Sequence, residues 1–345
     1  MIILFVILLG IILWGIKYSP AGFDDYMSRP QTTAVKGIFA VIILFGHMRG
    51  YLPSDYDQGL YGNILNFIGQ SMVVMFLFYS GYGIMEALKR DIDKYTAGFF
   101  RKRVLKVWIL FAVAIMAYVI LNLILGHQFT ARKWILCWIG WESIGNSNWF
   151  VFDIIVLYLL SYLMLLLAGQ YRWQLKHVAY GVLMLSFGLV VALHSVGKPS
   201  WWFDTIMAYP FGMLYSLYIT RLQVVNKWGG VILLAFLLVV EMIGCRLLYN
   251  YSIPYLLKVN FLLGPLTFAL LIISMTSHFK VNNRVLQWLG VNAFAIYILQ
   301  RISMILVSHL GWNQNGLVFA AIVIPLTMLI VVLYNTLTNR IIKFL

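Results

Sequence analysis

Long apolar runs alternate with short polar segments along this chain, and the pattern predicts helices that cross a membrane. A spanning helix needs roughly 17–25 mostly apolar residues, whereas a barrel strand alternates over about ten. The runs fit the first pattern. The predicted spans cover residues 1–16, 34–50, 62–88, 104–126, 149–168, 177–194, 201–220, 229–245, 254–277, 286–309 and 316–339.

The first run, residues 1–16, is the shortest of the eleven. A secretory signal peptide carries a basic segment before its apolar run and a small-residue cleavage site after it. Neither feature is found around this run. We therefore expect an uncleaved anchor helix followed by a cytoplasmic linker, together residues 1–33.

Composition narrows the class of protein further. Of the 345 residues, 62% are hydrophobic and 10% are charged, and the mean hydropathy is +0.88. A soluble domain of this length could not bury so much apolar surface, and a disordered chain would be far more polar. The two cysteines, Cys137 and Cys245, are too few for a disulfide scaffold. The sequence predicts an all-α, polytopic transmembrane helix bundle.

The net charge of +14 bears on topology rather than on nucleic acid, and we expect no nucleic-acid partner. Lysine and arginine accumulate on the cytoplasmic side of membrane proteins. The connections after the odd-numbered spans, with the C-terminal end, hold 18 of the 25 Lys and Arg residues. This asymmetry predicts an N-terminus outside the cell and a C-terminus in the cytoplasm.

The second predicted span carries the sharpest candidate chemistry. Lys36 and His47 are eleven residues apart, which is three helical turns plus roughly 20°, so they share one face about 16 Å apart. Gly37 and Gly46 lie near that face and predict a narrow passage. Histidine suits proton transfer near neutral pH. The alternative is a packing histidine with a lysine that only marks the cytoplasmic end.

A basic segment follows the third predicted span. Residues 89–106 hold seven basic and two acidic residues, among them Arg101, Arg103 and Lys106. Arg103 and Lys106 are three apart and are expected to share a helix face, where they would suit phosphate groups. The alternative is that the segment only directs topology or attracts anionic membrane lipids.

Other polar residues in the predicted spans are weaker candidates. Asp153 could orient His47, as a carboxylate does in a catalytic triad, although the sequence does not establish their contact. For Glu86, Glu241 and Arg301 the expected role is interhelical pairing. Tryptophans near residues 134–149 indicate interfacial anchoring or a platform for a sugar. No metal-binding or nucleotide-binding motif is found, so no metal is expected.

Several of these segments together resemble the acyltransferase-3 family of bacterial membrane O-acyltransferases. Lys36 and His47 resemble its basic-x10-His signature, with lysine for the commoner arginine. Other segments resemble further family motifs in the same order along residues 30–339. These are Phe76–Ile84, Phe99–Trp108 (with Lys106 for a second arginine), Asn148–Leu160 and Leu289–Gln300. Gln300 stands where many members have histidine, so no catalytic role is assigned to it.

The resemblance implies a ten-helix acyltransferase domain over residues 34–345, with the first helix as an addition. It implies transfer of an acetyl or other acyl group from cytoplasmic acyl-CoA to a sugar hydroxyl of a surface polysaccharide or its lipid-linked precursor, in the bacterial cell membrane. His47 would act as general base or be acylated transiently. Lys36, Arg101, Arg103 and Lys106 would hold the donor phosphates.

Two other functions remain open from the sequence. A transporter or flippase for an anionic or lipid-linked substrate would use Lys36 and His47 to line its path, although transporters often show paired repeats and none is evident here. A non-enzymatic subunit of envelope synthesis would tolerate substitution of His47.

Overall fold

The computed structural model describes residues 1–57, 59–69, 71–222, 227–250 and 254–343, but not the side chains of 57, 67, 242, 245, 246, 248–250 and 254–262. The described residues are overwhelmingly helical, which confirms the all-α transmembrane bundle. The helices are α1 Ile2–Leu13, α2 Arg29–Arg49, α3 Leu60–Ile68, α4 Ser71–Arg90, α5 Ile92–Phe99, α6 Lys106–Ile124, α7 Ala131–Leu136, α8 Trp149–Tyr171, α9 Leu175–Ser195, α10 Ala208–Leu222, α11 Trp228–Asn250, α12 Pro254–His278, α13 Arg284–Val291, α14 Ala293–His309 and α15 Gly316–Ile342.

Six described helical stretches are long and apolar enough to cross a membrane, and a seventh crossing results if the bent pair α13–α14 counts as one. The predicted span 201–220 corresponds to the shorter α10, of 15 residues. The spans predicted at 229–245 and 254–277 overlap α11 and α12, whose side chains at Cys245, Arg246 and Lys258 lie outside the described part. The count of eleven spans therefore stays a prediction.

The N-terminal segment begins with a helix shorter than the predicted span, and its role as an anchor stays a prediction. Helix α1 has 12 residues, about 18 Å at 1.5 Å per residue, which is too short to cross a bilayer core of about 30 Å. Phe5 of α1 packs edge-on against Phe45 of α2, with ring centroids 5.3 Å apart. After α1, strand β1 (Lys17–Tyr18) pairs antiparallel with strand β2 (Phe279–Lys280). The first 33 residues are thus attached to the bundle at two places.

The predicted span 286–309 is not one straight helix. It divides at Asn292 into α13 and α14, which are bent by 79°. Helix α13 packs closely on α2, because Gly290 faces Thr33 and Gly37 faces Leu286 so closely that an added Cβ would overlap the opposing backbone. Gly37 therefore serves helix packing and does not line a passage, contrary to the sequence-based expectation.

The basic segment is helical and not a loop. Asp91 caps α5, where its side chain accepts a hydrogen bond from the backbone N–H of Lys94 at 2.9 Å. A π-helical turn, Phe100–Leu105, then joins α5 to α6 without a break. The basic residues are thereby fixed on a continuous helical stretch beside the core of the bundle.

A second glycine contact fixes the centre of the bundle. Gly81 of α4 and Gly212 of α10 each face the other helix's backbone so closely that a Cβ would overlap it. The Phe76–Ile84 segment, which resembles a family motif, therefore packs α4 against α10. Ser80, beside this contact, points instead toward α8, where its Oγ lies 2.7 Å from the hydroxyl of Tyr158.

Candidate active site

The imidazole of His47 lies near the end of α2, and only its Nδ1 has hydrogen-bond partners among the described residues. Its Nδ1 lies 2.7 Å from Nε2 of Gln300 on α14 and 3.4 Å from Oγ of Ser147, just before α8. Its Nε2 has no hydrogen-bond partner among the described residues. Three elements thus orient the ring, and one nitrogen stays available to a ligand.

The amide of Gln300 determines which nitrogen carries the proton. An amide N–H can only donate, so the observed contact makes Nδ1 the acceptor and places the proton of a neutral ring on Nε2. If the amide turns over, its Oε1 accepts from an Nδ1–H group and Nε2 offers a lone pair. Oε1 is buried without a partner in the observed orientation. Rotation gives it one, and the amide then loses the hydrogen bond that Nε2 donates to the Tyr297 carbonyl at 3.2 Å. A base at Nε2 requires this second orientation.

Asp153 does not contact His47 as the triad analogy suggested. It is fully buried in α8, and neither carboxyl oxygen has a hydrogen-bond partner among the described residues. The orienting contact comes from Gln300 instead. The catalytic assignment of Asp153 stays a prediction. Among the described residues, no three His, Cys, Asp or Glu side chains come together as metal ligands.

One cavity opens beside His47, and we call it the His47 cavity. Its volume is about 340 Å³. Arg49, Trp149 and Trp201 line it together with apolar residues from α2, α3 and α4. Arg49 donates a hydrogen bond to the Asn66 side chain at 2.6 Å. Aromatic faces and hydrogen-bonding groups therefore meet around the free side of the imidazole.

Trp201 is positioned by a short segment outside the spanning helices. In the 3-10 turn Ser200–Trp202, Trp202 is buried while Trp201 faces the cavity. Lys198 lies between the rings of Trp202 and Trp141, with Nζ 3.8 Å from each centroid. Burial lowers the pKa of Lys198 and raises the pKa of Asp204, which follows this turn, to about 7.

A second cavity, the basic cavity, has a volume of about 280 Å³. Lys36 and Arg103 both line it. Neither forms a salt bridge within the described residues; Arg103 donates from Nε to the hydroxyl of Tyr95 at 2.9 Å. Two cations on an apolar wall without acidic partners favour an anionic ligand.

Arg103 also borders a smaller cavity of about 190 Å³, whose wall includes Lys94 and Lys102. Arg101 and Lys106 are exposed and line none of these three cavities. The π turn explains the difference, because its wider turn moves residues three apart off a common face. The donor-binding roles of Lys36, Arg101, Arg103 and Lys106 stay predictions, but only Lys36 and Arg103 share a cavity.

The basic cavity and the His47 cavity have a common wall. Ile43 of α2, Val73 of α4 and Tyr297 of α14 line both. The ring of Tyr297 lies 5.9 Å from the imidazole of His47, between centroids. The sequence predicted that Lys36 and His47 share one face of a helix. In the structure Lys36 lines the basic cavity and His47 lines the His47 cavity.

Sequence reasoning missed several residues of this site. Gln300 was given no role, and Ser147, Tyr297 and Trp201 were not singled out. Tyr297 and Gln300 are three residues apart in an apolar run, a spacing that places two polar side chains on one helix face. That spacing was the available signal, whereas Ser147 and Trp201 lie in connections whose path the sequence does not predict.

The fold and the cavities define a polytopic membrane protein with a half-buried histidine that lines one of two adjoining, ligand-sized spaces. The model of a family described as an acyltransferase domain matches residues 30–336. Because the match covers nearly the whole chain, the protein belongs to this acyltransferase-3 family. No curated protein and no solved structure matches the chain significantly.

Proposed function

We propose that the protein is an integral-membrane O-acyltransferase that uses acetyl-CoA, or another acyl-CoA, from the cytoplasm. The acceptor is a sugar hydroxyl of a bacterial surface polysaccharide or of its lipid-linked precursor. The observation that carries the proposal is the common wall of the basic cavity and the His47 cavity. A donor held by one cavity and an acceptor held by the other would meet beside the imidazole.

Charge supports the donor's position. Acyl-CoA carries several phosphates at one end of a long, narrow arm. In this proposal Arg103, with Lys94 and Lys102 nearby, binds the phosphates, and Lys36 lines the path of the arm. The basic side would then face the cytoplasm, in agreement with the predicted orientation. Surrounding lipids cover the apolar exterior.

The lining of the His47 cavity supports a sugar acceptor. Tryptophan rings offer flat apolar faces that pack on a pyranose ring, and polar groups fix its hydroxyls. Trp149 and Trp201 supply such faces, and Arg49 supplies a donor. His47 would accept the proton of the attacking hydroxyl at Nε2 while the oxygen attacks the thioester carbon.

The direct test is His47→Ala in membranes supplied with radiolabelled acetyl-CoA. We expect transfer of label to the membrane glycan fraction to fall by about a hundredfold or more, the usual contribution of a general base. His309→Ala, an exposed histidine at the end of α14, is the matched control and should keep wild-type transfer. Full transfer by His47→Ala would refute the assigned chemistry.

The bent pair α13–α14 is the observation that favours a transporter as the second candidate function, because broken helices are common in transporters. Proteoliposomes distinguish the two functions. An acyltransferase consumes acyl-CoA in proportion to the acylated product. Flux of a lipid-linked glycan without loss of acyl-CoA would instead favour transport.

A further inference from the structure

Tyr297 has a buried hydroxyl group that lies near the backbone of Phe150 at the start of α8 but forms no well-aligned hydrogen bond there. The residue is 5% exposed, and its hydroxyl has no hydrogen-bond partner among the described residues. Buried polar atoms are nearly always paired, and an unpaired one costs about 1–3 kcal/mol. Because Tyr297 lines two cavities, a bound ligand can supply the missing partner of its phenol.

The position of Tyr297 between the two cavities points to the ligand atom. Of the three described residues that line both cavities, Ile43 and Val73 are apolar, so Tyr297 alone brings a polar side chain. Its ring packs against Phe150, with centroids 5.3 Å apart, and lies next to the imidazole of His47. A thioester that reached His47 from the basic cavity would pass this side chain.

We propose that the hydroxyl of Tyr297 donates a hydrogen bond to the thioester carbonyl oxygen and stabilises the oxyanion that forms there. This inference rests on the proposed function. It assigns Tyr297 a role distinct from that of His47, because it acts on the charge that develops on oxygen and moves no proton.

The step balances without a further reactant. The acceptor hydroxyl gives its proton to Nε2 of His47, and its oxygen bonds to the thioester carbon. The carbonyl electron pair moves onto oxygen, where the Tyr297 hydroxyl binds it. The pair then returns, the carbon–sulfur bond breaks, and the leaving thiolate takes the proton from His47.

The test compares Tyr297→Phe with Tyr118→Phe in the radiolabelled acetyl-CoA assay. Both changes remove a buried, unpaired hydroxyl, but Tyr118 lines neither cavity. We expect Tyr297→Phe to lower kcat by about 10²–10³-fold, as loss of an oxyanion donor does. The KM for acetyl-CoA should stay within about twofold, since the bond strengthens only in the transition state. Tyr118→Phe should keep wild-type kcat.

Elution as a single species with a Tm no lower than that of wild type shows that each variant is folded. If His47→Ala is inactive while Tyr297→Phe keeps its kcat, only this inference falls. A change confined to KM would overturn it too, as would mass-spectrometric detection of acylated Tyr297, which would make the residue a nucleophile. If the wild-type protein transfers no label, the proposed function falls and this inference with it.

Discussion

Gln300 is the residue of α14 that contacts the imidazole of His47, and in the proposed mechanism it sets which ring nitrogen carries the proton. When the amide oxygen of Gln300 faces Nδ1 of His47, Nδ1 carries the proton and Nε2 keeps the lone pair that a base needs. We therefore expect Gln300→Glu to keep kcat within about tenfold of wild type, because a carboxylate can only accept from Nδ1–H. Gln300→Leu should lose about a hundredfold in kcat, since no group fixes the tautomer.

The assay with radiolabelled acetyl-CoA gives kcat and KM for both variants. Equal loss in Gln300→Glu and Gln300→Leu would mean that the amide serves another purpose. An active Gln300→Leu would show that the proton's position on His47 needs no support from α14.

At this scale the sequence singled out His47 and Lys36 as candidates, because ionisable side chains stand out in apolar spans. It did not identify the partner of His47. Asp153 was the natural choice from chemistry, but the bend at Asn292 brings Gln300 to the ring instead. Contacts between residues 253 positions apart depend on helix packing that no local pattern encodes.

At the scale of one element, the π turn at Phe100–Leu105 separates basic residues that an ordinary helix would align. Arg103→Leu should raise the KM for acetyl-CoA, and the effect should persist at high salt because Arg103 lies in a cavity. Arg101→Leu and Lys106→Leu should raise KM only at low salt, since exposed charges are screened. KM measured at two ionic strengths checks this.

Arg340→Leu removes an exposed arginine at the far end of α15 and serves as the control. If Lys106→Leu raises KM at high salt as strongly as Arg103→Leu, the sequence-based pairing of the two residues is correct after all.

The close contact between α2 and α13 depends on Gly37, which has no side chain to separate the two helices. Gly37→Ala would place a methyl group against the backbone of Leu286, and we expect a loss of about 1–3 kcal/mol in stability from overpacking. Gly188→Ala, in α9 with open space around its Cα, should be neutral or slightly stabilising, since alanine favours helix. Thermal unfolding in detergent measures both. If Gly37→Ala and Gly188→Ala have the same Tm, α13 can move away from the added methyl group without loss of stability.

At the scale of the whole molecule, apolar run length predicts the class of fold because each bilayer crossing must satisfy its own backbone. Run length does not predict where a helix bends, as between α13 and α14, or where it is shorter than the apolar run, as in α10. Within residues 286–309 only Gly290 and Asn292 are weak signals for a helix end, and the apolar run continues past them. The bend at Asn292 arises where α13 packs on Gly37 and Thr33. The predicted orientation of the two termini depended on the distribution of Lys and Arg rather than on any motif.

Outside the spanning helices, Asp204 makes the stability of the whole protein depend on pH. Its pKa is raised to about 7 in the fold because the carboxyl is buried, against about 3.9 in an unfolded chain. Between these values the folded state binds more protons than the unfolded state, so stability falls as pH rises. The loss is absent below about pH 4 and complete above about pH 7.

Asp204→Asn removes this titration and keeps an amide oxygen able to accept from Ser200. The variant should have a higher Tm than wild type at about pH 8 and a similar Tm at about pH 4, where the native carboxyl is also uncharged. Because Asp204 follows the turn that holds Trp201 beside His47, the variant should also keep acceptor binding at high pH. A pH profile of Tm identical to that of wild type would show that Asp204 is ionised in the fold without cost.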